Sequence, residues 1–492
     1  MMCGDTPMEP RGNKALSYLL AGLLGVVLPH VSLGAESPQA SQGAVDLLIE
    51  TSDAGGAGLL PEKAETLGIK SEVARKFYER TIAGSLSREG TLDWDLFMRL
   101  IKDGKTLGPK ILKLLPGIVV EFTPKSYEPI KAYFRKKPDA VHHYRWTVRT
   151  TSQGKDVGEG IFIVDEKRRK ISATIDYKDK VYKIVPLKNG NVRIYELDPR
   201  RFPEERLEAG KSSNLPDALG KRVTHDEQDA APHDSELGGP SESESTGEPC
   251  VIDMLVLYTQ DAEAPWLAER ENISEEIYRA VDITNTAFTN SNINAVVQFA
   301  DIKQVPRTDF QESGALDTDL GKLMDNAHFG SIARKWRDET GADLVSLWVS
   351  GGDWCGASPY FSRRVPTEEE GFSVVVVSCA ANSKSFAHEI GHNLGARHTR
   401  WDEGVPDDDL AHNFGHLSKA SGVRTIMASN RECASVEIYC RRESQYSNPA
   451  VPYPGIATWS GVMMSRPKAA DNSHYLNDTA CKAAKYRSPS DQ

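Results

Sequence analysis

The most constraining feature of the chain is the string His388-Glu389-Ile390-Gly391-His392-Asn393-Leu394-Gly395-Ala396-Arg397-His398. On a helix, residues four apart share a face, so the imidazoles of His388 and His392 can ligate one cation. Gly395 is the residue type best able to take a positive φ, and the spacing predicts a sharp turn there that swings His398 back as a third ligand. Three neutral nitrogens with a fourth position open to water describe a catalytic zinc site rather than a closed structural one. Glu389 adjoins the first ligand, on a helix face that keeps its carboxylate beside that water without coordinating the metal. It is the candidate catalytic base, taking the water's proton for attack on a polarised carbonyl and returning it to the leaving amine, the chemistry of peptide-bond hydrolysis. With 12 His and 39 Gly in 492 residues, chance would set these residue types at these offsets on the order of 10^-4 times or less.

A chain of 492 residues exceeds one ordinary core, so two or more folded units are expected. With 39% hydrophobic and 26% charged residues and a mean hydropathy of -0.44, the composition excludes a polytopic membrane protein or a wholly disordered chain. The net charge of -11 is unevenly spread: residues 51–210 carry 31 Lys+Arg against 23 Asp+Glu, whereas residues 251–492 carry 23 against 33. A basic half and an acidic half can dock on each other or be solvated separately. Arg11 and Lys14 precede an apolar run at 15–28 and small residues at Ser32, Gly34 and Ala35, the pattern of a secretory signal peptide spanning 1–35. The run is shorter than the roughly 20 residues of a membrane-spanning helix, so no stable membrane anchor is expected and the chain is placed as secreted or periplasmic. Beyond Cys3, the cysteines Cys250, Cys355, Cys379, Cys433, Cys440 and Cys481 form an even set in the last half, which argues for disulfides. Proximity favours Cys433 with Cys440 and Cys355 with Cys379, leaving Cys250 for Cys481. No Cys-x-x-Cys pair exists, which disfavours a cysteine zinc site.

Residues 36–60 are small and polar and are expected to be loose. The stretch 61–115 is read as mainly helical, notably at 72–82 and 94–101. Period-two stretches at 117–122, 144–150, 160–165, 170–176, 180–186 and 191–196 then predict a small antiparallel β unit without a chemical constellation. Residues 205–249, dense in Glu, Asp, Ser, Pro and Gly, cannot bury enough apolar surface to fold and read as an acidic disordered linker. The unit at 250–492 opens with a strand at 251–258. A helix at 274–288, a strand at 296–305, helices near 318–326 and 331–339, and strands at 343–349 and 374–379 follow before the histidine helix, which begins near Ser383. That alternation predicts a mixed α/β domain.

The string at 388–398 resembles the long zinc signature of the metzincin metalloendopeptidases, HExxHxxGxxH. Thr425-Ile426-Met427-Ala428 resembles the methionine turn that lies beneath the zinc in that family, with Met427 as its methionine. Within it, residues 250–487 are similar to the reprolysin-like group and the peptidyl-Asp metalloendopeptidases. The supporting pieces are 252–259, Trp354-Cys355-Gly356, Ser385-Phe386-Ala387, Tyr446-Ser447-Asn448-Pro449 and 471–486. Residues 115–205 are similar to the β-rich propeptide of these enzymes. The resemblance implies an α/β (α+β) catalytic domain with a mixed sheet and a zinc-binding active-site helix. It also implies organisation as signal peptide 1–35, mainly β propeptide 36–204, linker 205–249 and catalytic domain 250–492. One catalytic zinc is implied, held by His388, His392 and His398, with substrate extended along an edge strand whose rim is Gly356, Ala357 and Ser358, continuing to Phe361. Expected partners are protein or peptide substrates and the chain's own propeptide, with no nucleic acid, and the protein is expected to be a monomer.

Two departures stand out. Relatives carry Asp directly after the third histidine, where this chain has Thr399. Many carry Tyr two residues after the methionine, where it has Ser429, so no tyrosine is expected to steady the oxyanion. No cysteine lies between the leader and Pro249, so a propeptide thiolate cannot block the zinc. Maturation is expected in the linker, near Lys221-Arg222 or at Asp217, Asp226, Asp229 or Asp234. The cluster Asp402, Glu403, Asp407, Asp408 and Asp409 offers oxygen ligands for Ca2+, but its spacing lacks the EF-hand order and a solvated loop is the favoured reading. The leading function is a secreted zinc endopeptidase made as a zymogen, with Asp as its candidate cleavage residue. The rivals are a catalytically silent secreted binding module, which should lack Glu389 or a ligand, and a zinc amidase acting on non-protein substrates.

Overall fold

Alternating apolar residues between 118 and 197 build a meander of antiparallel strands, Ile118–Pro129, His143–Ser152, Lys155–Asp165, Lys170–Tyr177, Lys180–Pro186 and Val192–Leu197. The computed structural model describes residues 44–49, 57–103, 110–130, 143–205, 247–263, 273–359 and 366–487. The expected leader 1–35 and most of the linker, including its candidate cleavage positions, lie outside them. The β unit is larger than expected, an 11-stranded sheet, because Val45–Asp46, Leu48–Ile49, Gly58–Leu59, Leu86–Leu92 and Lys110–Leu115 join the meander. Two expectations are thereby corrected. Part of 36–60 is pinned, with Leu47 and Leu60 buried, and 61–115 mixes two helices, Glu72–Thr81 and Trp94–Asp103, with strands. The physical reason is tertiary: Arg88 donates to Leu114 O at 2.7 Å and pairs with Asp46 at 2.5 Å, so the sheet curls and short strands gain partners that no local pattern announces.

Side-chain alternation in this sheet sends Ile171, Ala173 and Ile175 into a core with Trp146 and Phe162. The opposite face, Ser172, Thr174 and Asp176, is polar yet also buried. It is covered by the C-terminal half, through ion pairs of both polarities. Lys183 meets Glu276 at 3.0 Å, Arg145 meets Asp282 at 3.0 Å and Arg149 meets Glu443 at 3.5 Å. In the other direction, Asp176 meets Lys384 at 2.5 Å and Glu205 pairs with Arg442. Reciprocal pairing rather than the net sign of each half therefore organises this contact, since buried charges need individual partners.

The C-terminal half is built on a five-stranded sheet in the order Ala295–Val305, Cys250–Thr259, Leu344–Val349, Phe372–Val376 and Gly356–Ala357. The first four are parallel, and the strands inside the edge strand Ala295–Val305 read as near-continuous apolar runs because helices cover both faces. Ile252, Met254 and Val256 face one layer, with Ser274–Asn290 and the histidine helix Ser385–Asn393. Leu255 and Leu257 face the other, with Leu316–Met324, His328–Thr340 and, from the N-terminal half, Phe77 and Tyr78 of Glu72–Thr81. The expected strand 374–379 is shorter: pairing ends at Val376 and Val377–Ala380 turns helical, which starts the histidine helix at Ser385. Three disulfides brace this half, Cys250–Cys481, Cys355–Cys379 and Cys433–Cys440. Among the described residues no helix is long and apolar enough to cross a membrane.

Candidate active site

The helix Ser385–Asn393 is fully buried, and its C-terminal end passes into Gly395 at φ 92°. The positive φ reverses the chain so that His398 returns towards the helix. A side chain at this position would also meet Tyr475, since a Cβ would lie 2.6 Å from its ring. The Nε2 atoms of His388, His392 and His398 converge, 3.0 Å apart for His392 to each of the others and 3.2 Å between His388 and His398. His388 Nδ1–H donates to Ile426 O at 2.9 Å and His392 Nδ1–H to Ala396 O at 2.8 Å, and a carbonyl can only accept, so both Nε2 atoms carry lone pairs. Burial, with neighbouring imidazoles and Arg442 adding to it, pushes His388 and His398 well below the ordinary imidazole value and keeps them neutral. Lone pairs aimed at one another at this distance repel unless a cation lies between them, and the separations suit a cation bound at roughly 2.0–2.1 Å by each nitrogen. Among the described residues this is the one group of three or more His, Cys, Asp or Glu side chains that converge as metal ligands.

Glu389 is 1% exposed, and its Oε2 accepts the Ser358 hydroxyl at 2.7 Å. The edge strand Gly356–Ala357, paired antiparallel through Gly356↔Val375 and Ala357↔Val374, runs directly over this carboxylate. A Cβ on Gly356 would lie 2.3 Å from Glu389 Oε1, so the close approach depends on glycine. The three expected rim residues are thus in one place with Glu389, while Tyr360 and Phe361 lie outside the described residues. Beneath the metal helix, Met427 is buried with its Sδ 2.4 Å from where a Cβ of Gly391 would stand. Its turn also supplies the Ile426 carbonyl that orients His388.

Several contributors were not legible in sequence. Tyr446 donates its hydroxyl to Ala387 O at 2.7 Å and stacks on Phe288 at 5.6 Å, supporting the helix from below. Glu403, placed by sequence in an acidic cluster, instead accepts His398 N–H at 2.9 Å and pairs with Arg397. Asp402 bridges the two departures: it accepts the Thr399 hydroxyl at 2.8 Å and also the Ser429 hydroxyl. The Ser429 hydroxyl is therefore spent on Asp402 rather than offered to a substrate oxygen. No local signal marks these roles, which depend on contacts made after folding.

Three metal-directed imidazoles beside a buried carboxylate, under an edge strand, define a metal-dependent hydrolytic centre. Residues 249–439 match the reprolysin-like model of metallo-peptidase family M12. The segment is similar to the reprolysin-like metallopeptidase domains of family M12, and this likeness together with the site makes the chain a zinc metalloendopeptidase. Peptidyl-Asp metalloendopeptidases from two strains of Stenotrophomonas maltophilia, K279a and R551-3, are each 28% identical over 351 residues, 70% of this chain and 74% of theirs. One from Xanthomonas campestris pv. campestris is 28% identical over 320 residues, 64% of this chain and 67% of its own. Because 250–492 is about half of the chain, a likeness covering 70% extends into the N-terminal half. A solved chaperone-substrate complex overlays 49% of this chain and 40% of its own at a TM-score of 0.37 and 17% identity, too loose to bear on the fold.

Proposed function

We propose that the chain is an exported zymogen of a zinc endopeptidase, residues 36–204 forming a propeptide and residues 250–492 the catalytic domain, with Glu389 as general base and cleavage beside Asp residues. The convergence of three Nε2 atoms beside the buried Glu389 carboxylate carries the proposal. His388, His392 and His398 would hold a zinc ion, which when bound would supply Lewis acidity towards the scissile carbonyl and a nearby water. Glu389 takes that water's proton as its oxygen attacks the carbonyl carbon, then delivers it to the amide nitrogen as the C–N bond breaks. Ser358, donating to Oε2, keeps the carboxylate in one orientation, and Gly356 leaves it room. Gly356–Ala357 is the edge to which an extended substrate adds. Export is supported by the three disulfides, which persist in oxidising compartments. The Asp preference is supported by the names of the relatives.

The test is a peptide-library digest by the processed protein, with chelator-treated and Glu389→Ala samples alongside. Chelator-sensitive cleavage, lost in Glu389→Ala and clustered at Asp, is the expected result. Undiminished cleavage by Glu389→Ala would remove the assigned base, and no cleavage of any peptide would remove the peptidase itself.

A further inference from the structure

The N-terminal half ends in the described structure at Glu205, and its last residues run between the edge strand and the methionine turn. Glu204 O accepts Cys355 N–H at 3.2 Å, and the Glu204 carboxylate accepts Asn430 N–H at 3.3 Å and lies 3.6 Å from Arg424. Glu205, 3% exposed, presents both carboxylate oxygens to the guanidinium of Arg442, with Nη2 to Oε2 at 2.7 Å, and accepts the Ser385 hydroxyl at 2.8 Å. Ser385 opens the metal helix one turn before His388. Arg442 donates to Ala428 O at 3.2 Å, directly after Met427, and to Ser383 O at 2.7 Å. Arg424 and Arg442 are neighbours on paired strands, 6% and 4% exposed. Within the described residues, the carboxylates paired with them are Glu204 and Glu205, both from the N-terminal half.

A buried guanidinium that loses its carboxylate is strongly unfavourable, and a fixed fork of donors fits a carboxylate far better than an amide. Once residues 203–205 withdraw, the socket formed by Arg442, Ser385 and Arg424 therefore demands an anion. We propose that this socket is the subsite that reads an acidic substrate side chain, and that Glu205 fills it in the intact chain as a built-in competitor. The proposal rests on the metallopeptidase assignment and adds the residues that set its substrate class, acidic peptides. It also accounts for latency without a cysteine: the prosegment closes the cleft by occupying the specificity site beside the metal rather than by ligating the metal.

The experiment uses the full chain and two fluorogenic peptides that differ only by Asp or Asn at one position. Wild-type full chain should cleave slowly, and Glu205→Gln should cleave the Asp peptide at least about 10-fold faster, as expected for losing a charge-assisted bidentate pair. After processing, the wild-type kcat/KM ratio for Asp over Asn should be roughly 100-fold or more and should fall to about 5-fold or less in Arg442→Gln. Zinc content and circular dichroism establish that the variant is folded. If Arg442→Gln does not fold, Ser385→Ala replaces it and should lower the same ratio several-fold. Equal latency in wild type and Glu205→Gln would overturn the competitor role. An unchanged Asp/Asn ratio in a folded socket variant, or a wild-type ratio near one, would overturn the subsite. Failure of the processed wild type to cleave either peptide or any library member would instead remove the peptidase assignment.

Discussion

Replacing Gly356 with alanine isolates the placement of Glu389 from the integrity of the metal site. The new Cβ would stand 2.3 Å from Glu389 Oε1 and 2.8 Å from its Cδ and Cγ, whereas real Cβ contacts stay above 3.0 Å. The carboxylate must then retreat by at least 0.7 Å, the difference between 3.0 and 2.3 Å. Gly356 is not in the left-handed region and the obstacle is the end of a side chain, so the fold and the three histidines should survive. A displacement near 1 Å costs on the order of 10²-fold in a positioned reaction, about 2.7 kcal/mol of barrier. The assay is kcat/KM of processed Gly356→Ala on an Asp-containing peptide, with zinc stoichiometry and melting temperature measured on the same preparation. Activity within about twofold of wild type at full zinc occupancy would refute the requirement for close packing over Glu389, since general-base placement governs a factor of roughly 10²–10⁴.

Other outcomes follow from the same structure. Glu389→Gln should retain zinc and lose about 10²–10⁴-fold in kcat, and equal kcat would dismiss the base. Chelation should abolish activity and added zinc restore it, with a lowered melting temperature in between because three buried imidazoles lose their shared cation. Replacing Cys250 and Cys481 by serine opens a loop of 231 residues and should destabilise by up to about 5 kcal/mol, read as a melting-temperature drop of ~10 °C or more. Burial, with Asp261 nearby, raises the Glu312 carboxyl from its ordinary 4.5 to about 7, so the folded state holds that proton more tightly than the unfolded state. Its contribution is fully present below pH 4.5 and is lost as pH rises through about 7. Glu312→Gln should therefore flatten the decline in melting temperature across that window, and parallel curves would dismiss Glu312 as its source.

The metal-binding string was readable because its determinants are local. Helical periodicity puts His388 and His392 on one face, and glycine stereochemistry at Gly395 returns His398 whatever the rest of the chain does. The disulfide pairs were readable for a related reason, proximity along the chain and elimination of the last two cysteines. Period-two alternation located the meander but carried no record of what covers its other face, where the polar Thr174, Asp176 and Lys183 are buried against the C-terminal half. The short strands at 45–49 and 110–115 were missed because their stability comes from Arg88 and its distant partners rather than from propensity.

By itself, then, the sequence determined the candidate ligand set, the candidate base and the alternation of strands and helices, all of which follow from backbone geometry over a few residues. Tertiary structure alone decided that Gly356 makes room for Glu389, that Asp402 joins Thr399 to Ser429, and that Glu205 meets Arg442 across 237 positions. The physical reason is the same in each case. A buried charge or a close backbone approach is stabilised by whichever group folding brings beside it, and sequence distance carries no record of that meeting.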